Sequence, residues 1–225
     1  MSQKSTDPGL LFDLDGTLVD TAYQHTLAWS TAFSRAGIYV PLWKIHRRIG
    51  MSGRSLMQQL LREHRGTVPK RDFDKLESLH DAAFKKLTAD VRPLPGAKEL
   101  LRHLTRIGAR WAIATTGGRK QAEKLLRLLS ISKDAVIVTG DDVAKAKPSP
   151  DIFLAAAQRL KLPIEHCIVV GDSVWDMLAA GRRRALAVGI LAGGYGEAEL
   201  SQSGAFRVYA DPAAMLEHLE DLGLE

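Results

Sequence analysis

The chain has 225 residues, of which 45% are hydrophobic and 25% are charged, a composition typical of a globular protein. No apolar run approaches the length of a membrane-spanning helix and no signal peptide is visible, so we predict a cytoplasmic protein without a membrane partner. Cys167 is the only cysteine, which excludes a disulfide within the chain.

The formal net charge is +5, which raises the question of a nucleic-acid partner. The basic clusters at residues 46–48, 85–86 and 182–184 are short, and none alternates with aromatic residues as single-strand binding surfaces do. We therefore predict no specific nucleic-acid binding. The surplus of positive charge favours an anionic substrate instead.

The first predicted element, after a polar leader over residues 1–8, is an apolar strand that ends in two carboxylates. Successive side chains of an extended backbone alternate faces, so Asp13 and Asp15 project the same way. Two like charges so placed are tolerated if a divalent metal neutralises them or if one is protonated. Oxygen ligands favour magnesium, and a carboxylate beside a metal can also act as a nucleophile. A polar turn with a helix N-cap is the simpler alternative.

The next part of the chain is predicted to be all-helical. Apolar residues recur at helical spacing, and Gly37 and Gly50 interrupt the pattern at points where helices end. We predict residues 20–89 to be a helical cap domain inserted after the first strand. Its predicted helices cover residues 22–36, 42 to about 50, a stretch that begins at Ser52 or Ser55, and 71–88.

From residue 90 onward helices alternate with short apolar strands. Such alternation predicts a doubly wound parallel sheet with helices on both faces, an α/β core formed by residues 1–19 and 90–225. The predicted strands cover residues 110–114, 135–138, 167–170, 186–190 and 206–209. The predicted helices cover residues 97–107, 119–129, 150–160, 174–184 and 212–222.

Polar residues follow several of these strands directly. Thr115 and Thr116 follow the second strand, Lys147 comes after the third, and Asp172 and Asp176 follow the fourth. Because the carboxyl ends of parallel strands meet at one edge of a sheet, these residues are expected beside Asp13 and Asp15. Each also has a simpler interpretation, since threonine and aspartate cap helices and a lysine before proline is common at the surface.

Taken together, these short motifs resemble the four motifs of the haloacid dehalogenase superfamily, in the order that its members have them. The resemblance implies a Rossmann-like core with an inserted cap. The matching positions are Asp13-Leu14-Asp15-Gly16-Thr17, then Thr115, then Lys147 before Pro148, and finally Gly171-Asp172 with Asp176.

The resemblance also implies a role for each residue in phosphoryl transfer. Asp13 is the expected nucleophile and forms an aspartyl phosphate, while Asp15 protonates the leaving group and then activates water. Thr115 donates its hydroxyl to a phosphate oxygen, and Lys147 brings a positive charge to the phosphate. A shift of the strand end by one residue exchanges Thr115 with Thr116, so that choice stays open.

Metal and substrate sites are implied in the same way. Asp172 completes a Mg²⁺ site with Asp13 and the backbone carbonyl of Asp15, and Asp176 steadies that site. Thr116 and Gly117 are predicted to bind substrate. The expected partner is a small phosphorylated metabolite, and neither its identity nor the oligomeric state follows from the sequence.

Two cap residues are further candidates. The segment around His25 resembles the same place in beta-phosphoglucomutase and related sugar-phosphate phosphatases, which implies substrate-binding roles for His25 and Arg54. Cap packing for His25 and a solvated cation for Arg54 are the alternatives. Thr17 and Gly171 match the hydrolytic members instead, such as phosphoglycolate phosphatase. We therefore predict a phosphatase, with a sugar-phosphate mutase or a non-catalytic anion-binding module as alternatives.

Overall fold

A six-stranded parallel sheet forms the centre of the protein in the computed structural model, which describes residues 7–63 and 71–224. The strand order is β3-β2-β1-β4-β5-β6, and every neighbouring pair is parallel. The predicted leader lies outside the described residues except for its last two. The strands are β1 (Gly9–Phe12), β2 (Trp111–Ala114), β3 (Val136–Val138), β4 (Cys167–Gly171), β5 (Leu186–Ile190) and β6 (Arg207–Tyr209).

Helices cover both faces of this sheet because its strands are apolar on both sides. In β1, Leu10 and Phe12 pack into a core on one face, and Leu11 packs into a separate core on the other. The first face is covered by α5 (Ala97–Arg106), α6 (Arg119–Leu129) and α10 (Pro212–Leu216). The second face is covered by α7 (Asp151–Arg159), α8 (Val174–Gly181) and α9 (Glu197–Gln202). The predicted doubly wound α/β fold is confirmed.

Five helices lie between β1 and β2 in the described part of the chain, and we call the first four the helical segment. They have a hydrophobic core of their own, which includes Trp29, Phe33 and Met57. This separate core supports the predicted division of the chain into a core (1–19 and 90–225) and a cap (20–89), which we keep as a proposal. The helices are α1 (Ala22–Arg35), α2 (Leu42–His46), α3 (Gly53–Glu63) and α4 (Arg71–Leu87).

Some predicted boundaries differ from the structure. The second helix ends at His46 rather than near residue 50, because the carbonyl of Arg47 accepts hydrogen bonds from Trp175 Nε1 and Tyr195 Oη instead of continuing a helix. The predicted closing helix stops at Leu216 and is followed by a 3₁₀ turn. Helix α9 was not predicted. In the described ranges, none of the helices is both long and apolar enough to cross a membrane.

Candidate active site

The two acids after β1 lie where the strand order of the sheet reverses. Asp13 is buried, and its backbone N–H donates to the carbonyl of Val170 on the neighbouring strand. Gly16 follows with φ of 81°, and a Cβ there would lie 2.4 Å from Oδ2 of Asp172. Only glycine therefore allows the turn after Asp15 to pass this close to Asp172. The switch point of a parallel sheet is a common place for a ligand site.

Lys147 approaches the same position from the loop after β3. Its side chain is fully buried, with Nζ 2.6 Å from Oδ1 of Asp13 and 2.8 Å from Oδ1 of Asp176. The peptide bond between Lys147 and Pro148 is cis. The structure therefore brings the lysine to the acids at the sheet edge, as the sequence predicts.

Two further carboxylates follow β4 and complete the cluster. Asp172 is buried and accepts a hydrogen bond of 3.1 Å from the hydroxyl of Thr17. Asp176, in the first turn of α8, accepts from the N–H and hydroxyl of Ser173 through Oδ2. Ligand oxygens of Asp13, Asp172 and Asp176 lie within 4.8 Å of one another.

The charges in this cluster do not balance. The pKa of Asp13 is raised to about 7, chiefly by burial; Lys147 lowers it, and Asp176 and Asp15 add to the rise. Burial also raises the pKa of Asp172, again with Asp176 and Asp13 as further causes. Burial alone would lower the pKa of Lys147, but its two carboxylate partners outweigh that effect and raise it. Three buried carboxylates thus share one ammonium, and ionisation of all three would leave two negative charges uncompensated.

Asp15 has different surroundings, formed by hydrogen-bond donors. Its Oδ1 accepts from the hydroxyl of Thr21 at 2.7 Å and lies 3.2 Å from Nε2 of His25, while its Oδ2 accepts from Thr115 at 3.2 Å. Burial would raise the pKa of Asp15, but His25 and the two hydroxyls outweigh it, so the pKa lies below its usual value. The two acids of the motif therefore differ in pKa, and Asp15 is the more readily ionised of the two.

A cavity of about 550 Å³ opens above these groups, between the sheet edge and the helical segment. Asp13 and Asp15 form part of its wall, together with Thr116 and Gly117 from the loop after β2. Arg54 lies at the rim, where its half-exposed guanidinium pairs with Asp74 at 2.7 Å. The cavity is large enough for a small metabolite.

Thr115 and Thr116 face different ways. The hydroxyl of Thr115 is buried and donates to Asp15, and it also accepts from the N–H of Gly117. Thr116 lines the cavity, and its hydroxyl lies 3.5 Å from the carbonyl of Met51. The structure therefore brings both threonines to the site, one beside the acid and one at the cavity wall.

A model of the haloacid dehalogenase-like hydrolase family matches residues 8–182, which is more than half of the chain. The chain belongs to this family. A second model, of HAD-hydrolase-like sequences, matches residues 144–222. The two matches together include every acid of the site and Lys147.

Relatives within the family carry hydrolase and mutase names. Hexitol phosphatase A of Escherichia coli (strain K12) is 35% identical over 178 residues, 77% of this chain and 79% of that protein. Beta-phosphoglucomutase of Bacillus subtilis (strain 168) is 30% identical over 217 residues, 94% of each chain. The crystal structure of a hydrolase from Pseudomonas syringae is 44% identical with a TM-score of 0.93, and the match covers 96% of this chain and 99% of that one.

The family motifs do not include every residue that the site contains. Nδ1 of His25 lies 3.0 Å from Nε2 of His80 on α4, which sequence reasoning missed. His80 falls on the apolar face of α4, between Leu76 and Phe84. A histidine among apolar residues at helical spacing could have been recognised in the sequence as a buried polar residue. Its partner on another helix was not visible, because the contact forms only when α1 packs on α4.

Proposed function

We propose that this hydrolase is a Mg²⁺-dependent phosphatase of small phosphomonoesters that works through an aspartyl phosphate on Asp13. The supporting observation is the buried Asp13 carboxylate at the cavity wall, 2.6 Å from the ammonium of Lys147 and two residues from Asp15, which lines the same wall. A nucleophile, a fixed cation and an acid–base group are the parts that phosphoryl transfer needs. The cytoplasmic location stays a prediction from the sequence.

The donor set fits a divalent cation. The atoms are carboxylate oxygens, which hard cations prefer, and a cation would compensate the two negative charges that remain when all three carboxyls are ionised. We expect Asp13 and Asp172 to hold the ion with the backbone carbonyl of Asp15. Both oxygens of Asp176 already contact Lys147 and Ser173, so Asp176 would steady the site from outside. When bound, the cation offsets the negative charge of the phosphoryl oxygens beside Asp13.

The first step transfers the phosphoryl group to the protein. A carboxylate oxygen of Asp13 attacks phosphorus, and the bond from phosphorus to the substrate oxygen breaks. The leaving oxygen takes the proton of Asp15, which lies on the same wall of the cavity. Lys147 keeps Asp13 oriented and offsets part of the charge of the transferred group.

The second step releases inorganic phosphate. Asp15, now a carboxylate, takes a proton from a water molecule that attacks phosphorus of the aspartyl phosphate. The bond from phosphorus to Asp13 breaks, which restores its carboxylate and leaves Asp15 protonated again. Hydrogen bonds from Thr21 and Thr115 hold the Asp15 carboxylate in place through this exchange.

The relatives support a phosphorylated sugar or polyol as the substrate class. Hexitol phosphatase A is named for such a substrate, and most of this chain matches it. A mutase is the second candidate, because beta-phosphoglucomutase matches 94% of the chain. Incubation with hexose phosphates separates the two, since a phosphatase releases inorganic phosphate and a mutase returns an isomeric hexose phosphate.

An Asp13→Asn variant tests the nucleophile. We expect it to lose hydrolysis of an aryl phosphate in the presence of Mg²⁺, because the amide cannot attack phosphorus. Asp134→Asn, a change of the same kind at an exposed position away from the cavity, is the control and should retain full activity. Wild-type protein quenched with hydroxylamine during turnover should carry a hydroxamate at Asp13, detected by peptide mass spectrometry. Activity in Asp13→Asn would overturn the assignment.

A further inference from the structure

A row of four side chains leads from Asp15 to the surface of the helical segment. Oδ1 of Asp15 lies 3.2 Å from Nε2 of His25, and Nδ1 of His25 lies 3.0 Å from Nε2 of His80. Nδ1 of His80 lies 3.1 Å from Oδ1 of Asp81. The row therefore joins residues of the β1 loop, α1 and α4 through side chains alone.

The two imidazole rings have little freedom to turn. They are nearly parallel, with 4° between their planes, and their centroids are 5.2 Å apart. Trp29 stacks on His80 with a centroid distance of 4.3 Å, and Phe84 stacks on His25 at 3.9 Å. His80 is 4% exposed, whereas the carboxylate of Asp81 is 71% exposed. A buried pair of rings thus ends at a surface anion.

The surface carboxylate of Asp81 determines which ring nitrogens in the row donate hydrogen bonds and which accept them. A carboxylate only accepts hydrogen bonds, so Nδ1 of His80 donates to Asp81. Burial lowers the pKa of His80, which favours a neutral ring whose Nε2 accepts from Nδ1–H of His25. The remaining nitrogen of His25, Nε2, faces Asp15 at 3.2 Å. The contact with His80 thus keeps the Nε2 side of the His25 ring turned toward the carboxyl that serves as acid and base in the two steps.

We propose that His80 and Asp81 are positioning residues for the acid–base step: Asp81 orients His80, His80 fixes the ring and tautomer of His25, and His25 holds the carboxyl of Asp15. The proposal rests on the proposed phosphatase function. His80 and Asp81 also line the cavity, but they reach Asp15 only through His25, so we assign them no contact with the reacting atoms. Their effect should therefore appear only where the reaction needs the proton of Asp15.

A series of phosphomonoesters with different leaving groups measures this need. A nitrophenolate departs without a proton, whereas an alkoxide requires one. For His80→Phe, which keeps an aromatic ring between Trp29 and Phe84 but has no ring nitrogen, we expect kcat/KM on alkyl phosphates to fall ~10-fold or more, within the range of general acid catalysis. On nitrophenyl phosphate we expect a change of less than ~2-fold, because this substrate gains little from an acid.

Two milder variants keep the test independent of folding. His80→Gln retains one donor and one acceptor and should recover part of the loss on alkyl phosphates. Asp81→Asn changes an exposed residue and should show the same selectivity for leaving group, to a smaller extent. Asp90→Asn, an exposed carboxylate that follows the same helix, is the matched control and should behave as wild type on every substrate.

If kcat/KM fell equally on all substrates in these variants, the role of His80 and Asp81 would be merely structural and the proposal would be overturned. Unchanged kcat/KM in every variant would also overturn it. Failure of the proposed function would look different. In that case the wild-type protein itself would hydrolyse none of the esters, before any variant is compared.

Discussion

At the scale of single residues, the buried ammonium of Lys147 lies between Asp13 and Asp176, and each group depends on the other two. Lys147→Met keeps the length of the side chain but leaves two carboxylates buried without their cation. We expect this variant to be inactive and to lose ~3–5 kcal/mol of unfolding free energy, as happens when one partner of a buried pair is removed. Urea unfolding at neutral pH measures the loss.

The double variant Lys147→Met/Asp176→Asn identifies the cause of that loss. Asn at position 176 removes one of the two buried carboxylates that have lost their cation, so the double variant should be more stable than Lys147→Met alone. If charge were unimportant and packing alone mattered, the two losses would add instead. The double-mutant cycle with Asp176→Asn as the second single variant therefore separates an electrostatic from a steric origin.

The acids and the lysine at this centre were predictable from the sequence for a physical reason. Asp13 and Asp172 follow directly on short apolar strands and Lys147 lies in the loop after another. Parallel strands bring their carboxyl ends together whatever lies between them. Asp13, Lys147 and Asp172 could thus be grouped before any coordinates were known. His80 could not, because its contact with His25 depends on how two helices pack, and helical periodicity predicts only which face is buried.

At the scale of elements, Asp142 holds together the loops around the site. It caps the 3₁₀ turn Gly140–Asp142 by accepting from the N–H and hydroxyl of Thr139, and it pairs with Arg119 at the start of α6 and Arg159 at the end of α7. We expect Asp142→Asn to lose ~1 kcal/mol of unfolding free energy at pH 7, a typical value for a capping residue.

The loss should also depend on pH. Hydrogen bonds from the N–H of Thr139, and then Arg159, lower the pKa of Asp142 in the folded protein. A group of this kind stabilises the fold above its unfolded pKa, and the contribution disappears as the pH falls toward the folded value. The difference in unfolding free energy between wild type and Asp142→Asn should therefore shrink between pH 5 and pH 3. A constant difference would contradict the assignment.

Element boundaries were less predictable than element types. Strands and long helices follow from periods of two and 3.6 residues, which are present within each segment. The end of α2 depends on hydrogen bonds that Trp175 and Tyr195 donate to the carbonyl of Arg47. These residues are far from α2 in the chain, so no local sequence pattern predicts the contacts. Helix α9 is short and mostly polar. Its N-terminus is capped by the carboxylate of Glu199, which accepts from the N–H of Gly196. This local pattern is too weak to predict a helix from the sequence.

At the scale of the whole molecule, a net positive chain surrounds a net negative centre. The formal charge is +5, whereas the buried cluster has three carboxylates and one ammonium. The global charge attracts anionic substrates, but the centre itself would repel them unless a cation is bound. Metal binding should therefore couple to the stability of the entire fold as well as to activity.

The coupling predicts how stability depends on pH and Mg²⁺. Burial raises the pKa of Asp13 to about 7 and also that of Asp172, so the metal-free folded protein binds protons more tightly than the unfolded chain. Its stability should fall as the pH rises from about 4 toward 7, because the unfolded chain then loses protons that the buried carboxyls of the folded protein retain. A cation that binds only the folded state at ~100 times its Kd adds ~2.7 kcal/mol. We expect this gain to be larger at pH 8 than at pH 5.

Thermal unfolding with Mg²⁺ and with a chelator, at both pH values, measures the effect. Asp172→Asn is the informative variant, since it removes one expected ligand and one of the two uncompensated charges. It should therefore be less sensitive to pH without metal and gain much less stability from Mg²⁺ than wild type. Asp134→Asn removes an equal charge at the surface and should respond to the metal as wild type does. Equal stabilisation of Asp172→Asn and wild type by Mg²⁺ would show that the ion binds elsewhere, because a site built on Asp172 cannot keep its affinity without that carboxylate.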